Sequence, residues 1–230
     1  MNTKEHEVIS ISVEILREIS TYVSIGVKLI LAVYFLSKYS QKKMEAPLVW
    51  GAGFFFFGLS QVPVVAMQYF KDPAIDMAFA LLAALLAALS LALLYYGASL
   101  LYFVRGSFWR ERFSIALFVG MAVAIGVFNF AVGSENVLKS IFLLVATGFI
   151  FPILAVVAIL FFIVWHKLDP VNPRRINVLF VALAWLGYSL VNGFGSFFFT
   201  TSIDWIFYML SIASSIILLY GMTLGKATGH

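Results

Sequence analysis

The stretch Ile19-Ser20-Thr21-Tyr22-Val23-Ser24-Ile25-Gly26-Val27-Lys28-Leu29-Ile30-Leu31-Ala32-Val33-Tyr34-Phe35-Leu36 is apolar over most of its length and carries one full charge, Lys28, at its middle. As a helix rising 1.5 Å per residue it reaches about 27 Å, close to the ~30 Å of a bilayer's hydrocarbon core. Lys28 then lies near the midplane, where a charged side chain costs roughly 2.5–3.5 kcal/mol on insertion scales. Such a charge is expected to turn toward other helices. Arg17, Thr21, Ser24 and Lys28 recur at spacings of four, three and four, which puts them on one helical face and makes a polar stripe from the helix entrance to mid-membrane.

Composition points the same way. The chain is 63% hydrophobic and only 11% charged, with a mean hydropathy of +1.01, against about a quarter charged residues in an average soluble protein. A fold of 230 residues cannot enclose that much apolar surface, so lipid has to cover the remainder. The absence of cysteine excludes disulfides, thiolate chemistry and Cys-ligated metal sites. The first residues are rich in acids where a signal peptide would be basic, so the first helix is expected to be retained.

Seven apolar segments are long enough to cross a membrane: 19–36, 48–68, 77–104, 113–132, 137–165, 176–200 and 203–223. The expected fold is all-α, a polytopic membrane protein with a seven-transmembrane-helix bundle filling a single domain, 1–230. Lys38, Lys42, Lys43, Arg105, Arg110, Arg112, Lys167, Arg174, Arg175 and Lys226 fall on one side of these segments. Only Lys4, Arg17, Lys71 and Lys139 fall on the other, together with Glu5, Glu7, Glu14, Glu18, Asp72, Asp76, Glu135 and Asp204. The positive-inside rule places the N-terminus outside and the C-terminus in the cytoplasm of a cell membrane crossed many times. The formal charge of +4 therefore needs no nucleic acid as partner; the lipid bilayer, with its anionic headgroups, accounts for it.

An internal echo suggests how the segments are related. Gly58-Leu59-Ser60-Gln61-Val62 in the second resembles Gly187-Tyr188-Ser189-Leu190-Val191 in the sixth; Asp76 and Asp204 open the segments that follow; and Tyr96-Gly97-Ala98-Ser99-Leu100 answers Tyr220-Gly221-Met222-Thr223-Leu224. This reads as a 3+1+3 arrangement, with repeats 19–104 and 137–224 and a linker helix 113–132. The alternative is that Gly, Ser and Tyr are common in membrane helices. Pro63 and Pro152 each remove a backbone hydrogen bond within a segment and mark expected kinks.

The candidate ligand-binding residues are Lys28, Gln61, Asn129, Asn192, Asp76, Asp204 and Glu18. Together they describe an outward-facing polar pocket with a cation at its floor, amides on its walls and carboxylates around its rim. Each also has a structural reading: Lys28 and the amides as interhelical hydrogen-bonding groups, Asp76 and Asp204 as helix caps. The histidines His6, His166 and His230 are too scattered for a metal site, and no phosphate-binding loop or base–nucleophile pair is evident. The chain is expected to be neither an enzyme nor the holder of a cofactor.

Seven helices in this orientation resemble the microbial rhodopsin architecture, although the retinal lysine that resemblance implies is missing from 203–223. Trp50-Gly51-Ala52-Gly53-Phe54 followed by Leu94-Tyr95-Tyr96-Gly97 resembles seven-helix sensor modules that precede histidine kinases. The three-one-three layout is similar to SWEET-type sugar transporters, with Gln61-Val62-Pro63 nearest to that family's Pro-Gln dipeptide. Two functions follow as expectations. One is a receptor-like sensor that binds a small, anionic or polar ligand and signals through a membrane or cytoplasmic partner; the other is a small-solute transporter or channel with a midplane site.

Overall fold

The computed structural model describes residues 3–67, 69–70, 72–131, 137–198, 201 and 203–223. Gln68, Lys71, Val132, Glu135, Thr200, Leu224, Lys226 and His230 lie outside the described residues, as do the side chains of Lys4, Glu5, His6, Glu7, Glu14 and Lys139.

The described residues are helical, with no strand among them. The helices are α1 (Thr3–Lys42), α2 (Glu45–Leu59), α3 (Gln61–Ala66), α4 (Pro73–Tyr102), α5 (Phe108–Glu111), α6 (Phe113–Ala131), α7 (Val137–Val145), α8 (Phe151–Lys167), α9 (Arg175–Gly195) and α10 (Asp204–Thr223). Six helical stretches are long and apolar enough to cross a membrane: Ile15–Lys42, Glu45–Ala66, Ala74–Tyr102, Leu143–Lys167, Arg175–Phe198 and Asp204–Thr223. Phe113–Asn129 is apolar but shorter. The chain is therefore a helical, membrane-type bundle.

Local chemistry explains the helix ends. The side chain of Asp72 accepts from the Ala74 amide at 2.9 Å, and Pro73 follows at the first helical position, where its missing N–H is no loss. The cap of α4 is thus Asp72, and Asp76 lies one turn inside. In the turn between α8 and α9, the Asp169 carboxylate accepts from the Val171 amide and the Asn172 side chain from the Arg174 amide, both at 2.9 Å. The two prolines expected to disturb helices do so. The second span breaks at Ser60, where α2 ends and α3 begins just ahead of Pro63. The stretch Leu143–Lys167 passes through a π-helical turn, Ala146–Ile150, just ahead of Pro152.

Helix α1 packs between α2 and α10, α2 packs on α4, and α9 lies between α8 and α10; α6 sits at the edge against α4. The Tyr22 hydroxyl meets that of Tyr69 at 3.2 Å, and the Tyr34 hydroxyl donates to the Met222 carbonyl at 3.1 Å. The middle of α1, at Tyr22, is therefore beside the α3–α4 connection, and Tyr34, further along, is beside the end of α10. Next to Tyr34 begins an aromatic block. Phe35 stacks on Phe54 at 5.7 Å between centroids, Phe54 lies 5.9 Å from Trp185, and Trp185 lies 6.1 Å from Trp50 and 5.9 Å from Tyr188. All five rings are at most 3% exposed. Within the run Phe54 to Phe57, Phe54 is fully buried, while its neighbour Phe55 is 44% exposed.

Candidate functional site

Two polar ladders face each other across α1 and α10. On α1 stand Arg17, Thr21, Ser24 and Lys28; on α10, at the same four-three-four spacing, stand Asp204, Tyr208, Ser211 and Ser215. Arg17 Nε lies 2.8 Å from Asp204 Oδ2, and Arg17 Nη2 donates to the Thr201 carbonyl at 3.2 Å. The Thr21 hydroxyl donates to the Arg17 carbonyl at 2.8 Å. Lys28 Nζ donates to Ser24 Oγ and, at 3.5 Å, to Ser211 Oγ. Ser215 exchanges a hydrogen bond with Tyr188 of α9. The ladders match because both helices run in the same direction and repeat with the same period, so side chains at equal depth meet.

Lys28 is fully buried and about 16 Å along α1 from Arg17 at 1.5 Å per residue. Its Nζ sits 4.8 Å from the centre of the Phe57 ring. Helix α2 passes close beside it: a Cβ on Gly58 would lie 3.5 Å from the Lys28 Cβ, an ordinary contact. The only ion pair among the described residues is Arg17 with Asp204, so the ammonium rests on two hydroxyls and an aromatic face.

Beside this seam lies a partly open cavity of about 150 Å³. Helices α2 and α3 contribute Phe57, Ser60 and Gln61 to its wall. Three small residues of α4 and Val145 to Ile150 around the π-turn form another side, and Asn192 and Ser196 of α9 face Asp204, Tyr208 and Ser211 of α10. Three departures from α-helix meet here: the break at Ser60, the π-turn before Pro152, and the 3₁₀ turn Ser196–Phe198 that ends the stretch Arg175–Phe198. Thr147 and Ser196 tie two of them together at 2.9 Å. Irregular backbone at membrane depth is tolerated where it lines a cavity.

Of the residues singled out in the sequence, Gln61, Asn192 and Asp204 line this cavity. Lys28 stands one layer behind, separated from it by Phe57 and Ser211, so the floor of the cavity is a hydroxyl and an aromatic ring instead of an ammonium. Asp204 opens α10 and is 4% exposed; its carboxylate is held by Arg17. Asn192 Nδ2 donates to the Tyr188 carbonyl at 2.7 Å, whereas Gln61 Oε1 is buried without a partner. Glu18, Asp76 and Asn129 lie away from the cavity. Asp76 Oδ1 and Asn129 Oδ1 are also buried without partners. Reading by residue type passed over Tyr208, Ser211 and Ser215, and the signal that finds them is the repeated spacing.

Comparison with protein-family models, curated proteins and solved structures found no match to this chain.

The pair at the top of the seam can be weighed directly. The Asp204 side chain is 6% exposed and that of Arg17 27%, so water screens one partner only. Arg17→Gln is expected to cost about 1–2 kcal/mol, less than the 3–5 kcal/mol typical when a fully buried pair is broken. A lowered melting temperature in detergent checks this, with Arg17→Lys recovering part of the loss. Equal melting of Arg17→Gln and the parent would show that the pair contributes nothing.

Proposed function

We propose that this chain is a receptor-like membrane protein of seven crossing helices that binds a small ligand in an outward-facing cavity and signals through a partner. The observation that carries the reading is the meeting of three helix irregularities at one cavity, since each breaks hydrogen bonds that an uninterrupted helix would keep. Helix α6 supplies the seventh crossing: its 19 residues reach about 28 Å. The basic connections set the orientation, N-terminus outside, so that Gln61, Asn192 and Asp204 open to the exterior and the arginine-rich loops face a cytoplasmic partner. A ligand acts here by contacting two arrangements of the helices differently, and the jointed segments at Ser60 and Ala146–Ile150 are where such arrangements would differ.

The aromatic block of Phe35, Trp50, Phe54, Trp185 and Tyr188 supports sensing over conduction, because it fills the bundle between the cavity and the basic end. One observation favours a transporter as the second reading. Gly97 of α4 packs on Trp50 of α2, and Gly221 of α10 packs on Phe180 and Val181 of α9. Such equivalent contacts suit two three-helix repeats, 19–104 and 137–224, that rock about a site between them.

The chain's lack of cysteine gives a direct test. Asn192→Cys in intact cells should react with a membrane-impermeant maleimide added outside and be spared when the reagent is confined to the cytoplasmic side of inverted vesicles. Labelling from the cytoplasmic side alone would overturn the orientation and with it the receptor reading. In sealed proteoliposomes, accumulation of any of a panel of small solutes would replace sensing by transport.

A further inference from the structure

Of the six stretches long and apolar enough to cross a membrane, Leu143–Lys167 has the smallest share buried, 22%. Along α8, within that stretch, runs an open groove of about 350 Å³ lined by Ile159, Phe162, Ile163, Trp165, His166 and Lys167. Ile159, Phe162 and Ile163 share one helical face by their spacing, and Ile159 is 55% exposed. The lining is apolar until the last turn of the helix, where His166 and Lys167 are basic and exposed.

A second cation joins the same end. Arg175 opens α9, and its guanidinium lies 5.1 Å from the centre of the Trp165 ring. Stacking on an indole holds the planar guanidinium in place without cancelling its charge. The only ion pair among the described residues is Arg17 with Asp204, so neither Lys167 nor Arg175 is neutralised by a carboxylate. The acid of the intervening turn, Asp169, accepts from the Val171 amide and is outnumbered by Lys167, Arg174 and Arg175. An apolar groove thus ends in uncompensated positive charge.

We infer that this groove binds an anionic phospholipid, with an acyl chain against Ile159, Phe162 and Ile163 and the headgroup phosphate held by Lys167 and Arg175. Such a lipid matches both ends of the groove, since basic groups at the membrane surface attract anionic headgroups and a guanidinium suits phosphate geometry. A zwitterionic lipid offers the same chains but brings its own cation to the two basic residues. A second copy of the chain fits worse. Copies in one membrane share an orientation, so pairing through this face would set like charges at equal depth, which is repulsive. The site lies outside the cavity and needs no particular orientation of the chain.

Bromine on an acyl chain quenches a tryptophan it touches, and Trp165 lines the groove. Phosphatidylglycerol and phosphatidylcholine with the same dibrominated chains are compared in phosphatidylcholine nanodiscs that hold the full chain. The signal is the quenching in the parent less that in Trp165→Phe, which keeps the other tryptophans. Dibrominated phosphatidylglycerol should show about 25-fold higher relative affinity than dibrominated phosphatidylcholine, about 5-fold from each of two basic groups. Lys167→Gln combined with Arg175→Gln should bring the two lipids level, and Lys167→Gln alone, at an exposed position, should lose about 5-fold. Lys42→Gln combined with Lys43→Gln removes the same charge from exposed positions next to α2 and should leave the preference nearly unchanged. Equal affinity of the two lipids in the parent would overturn the anionic class. A preference that survives loss of Lys167 and Arg175, or falls as far with loss of Lys42 and Lys43, would overturn the site. No quenching of Trp165 by either lipid would overturn the groove as a lipid site, and cross-linking of two copies through Ile159→Cys would then identify a second copy as its cover.

Discussion

Lys28→Met should make the bundle more stable, by about 2–3 kcal/mol. The side chain is fully buried, and the only ion pair among the described residues is elsewhere, between Arg17 and Asp204. Its hydrogen bonds go to two neutral hydroxyls, Ser24 and Ser211. Replacing buried ionic groups by well-packed apolar residues of similar volume is often stabilising by about 1–4 kcal/mol, and placing an ammonium at mid-membrane costs a similar amount. Methionine fills nearly the same volume without strain, and its sulfur is suited to the Phe57 face, now 4.8 Å from Nζ. The two serines that lose their donor have a ready alternative. Ser214 and Ser215 on the same helix bond back to the carbonyls of Leu210 and Ser211, and Ser211 can do the same toward Phe207. Thermal unfolding in detergent, followed by tryptophan fluorescence, is the measurement. A melting temperature below that of the parent would show that the two hydroxyls and the Phe57 face more than offset the cost of burying the ammonium.

How much of this was legible beforehand depends on where the sequence carries contrast. The polar stripe Arg17, Thr21, Ser24 and Lys28 stands out against apolar neighbours, and its inward orientation follows from the cost of facing lipid. The matching ladder on α10 was as regular but less visible, because serine and tyrosine are cheap enough in membrane helices to draw no notice. Pro63 and Pro152 announced their joints, since a missing N–H is a covalent fact; that one joint is a break and the other a π-turn depends on tertiary packing. Phe54 shows the opposite limit. A helix that is apolar all round has no amphipathic period to read, so nothing in Phe54 to Phe57 tells which ring enters the core. Asp72 and Asp76 show a third case: both could cap, and the proline after Asp72 decides between them by fixing where the helix begins.

Gly97 should be among the least tolerant positions in the chain. A methyl group there would fall inside the indole of Trp50, and Trp50 has nowhere to go. Its ring is 3% exposed, its Nε1 donates to the Leu94 carbonyl at 3.2 Å, and it is hemmed in by Phe35 at 5.2 Å, Phe161 at 6.0 Å and Trp185 at 6.1 Å between centroids. Overpacking a filled core costs about 1–3 kcal/mol and occasionally more. Here the displaced group is rigid, hydrogen-bonded and enclosed, so the expected loss for Gly97→Ala is about 3 kcal/mol, against the small gain in helix propensity that alanine normally brings. Gly120→Ala and Gly126→Ala on α6 are the controls, since an added Cβ meets nothing within 4 Å at either position; both should melt at or slightly above the parent. The clash also makes a specific pairwise claim. Trp50→Leu is destabilising alone, because it empties the pocket, but combined with Gly97→Ala it should cost less than the sum of the two, with a coupling of at least 1 kcal/mol in a double-mutant cycle. Additive losses would show that α4 moves away from α2 as a body and that the indole is not the obstacle.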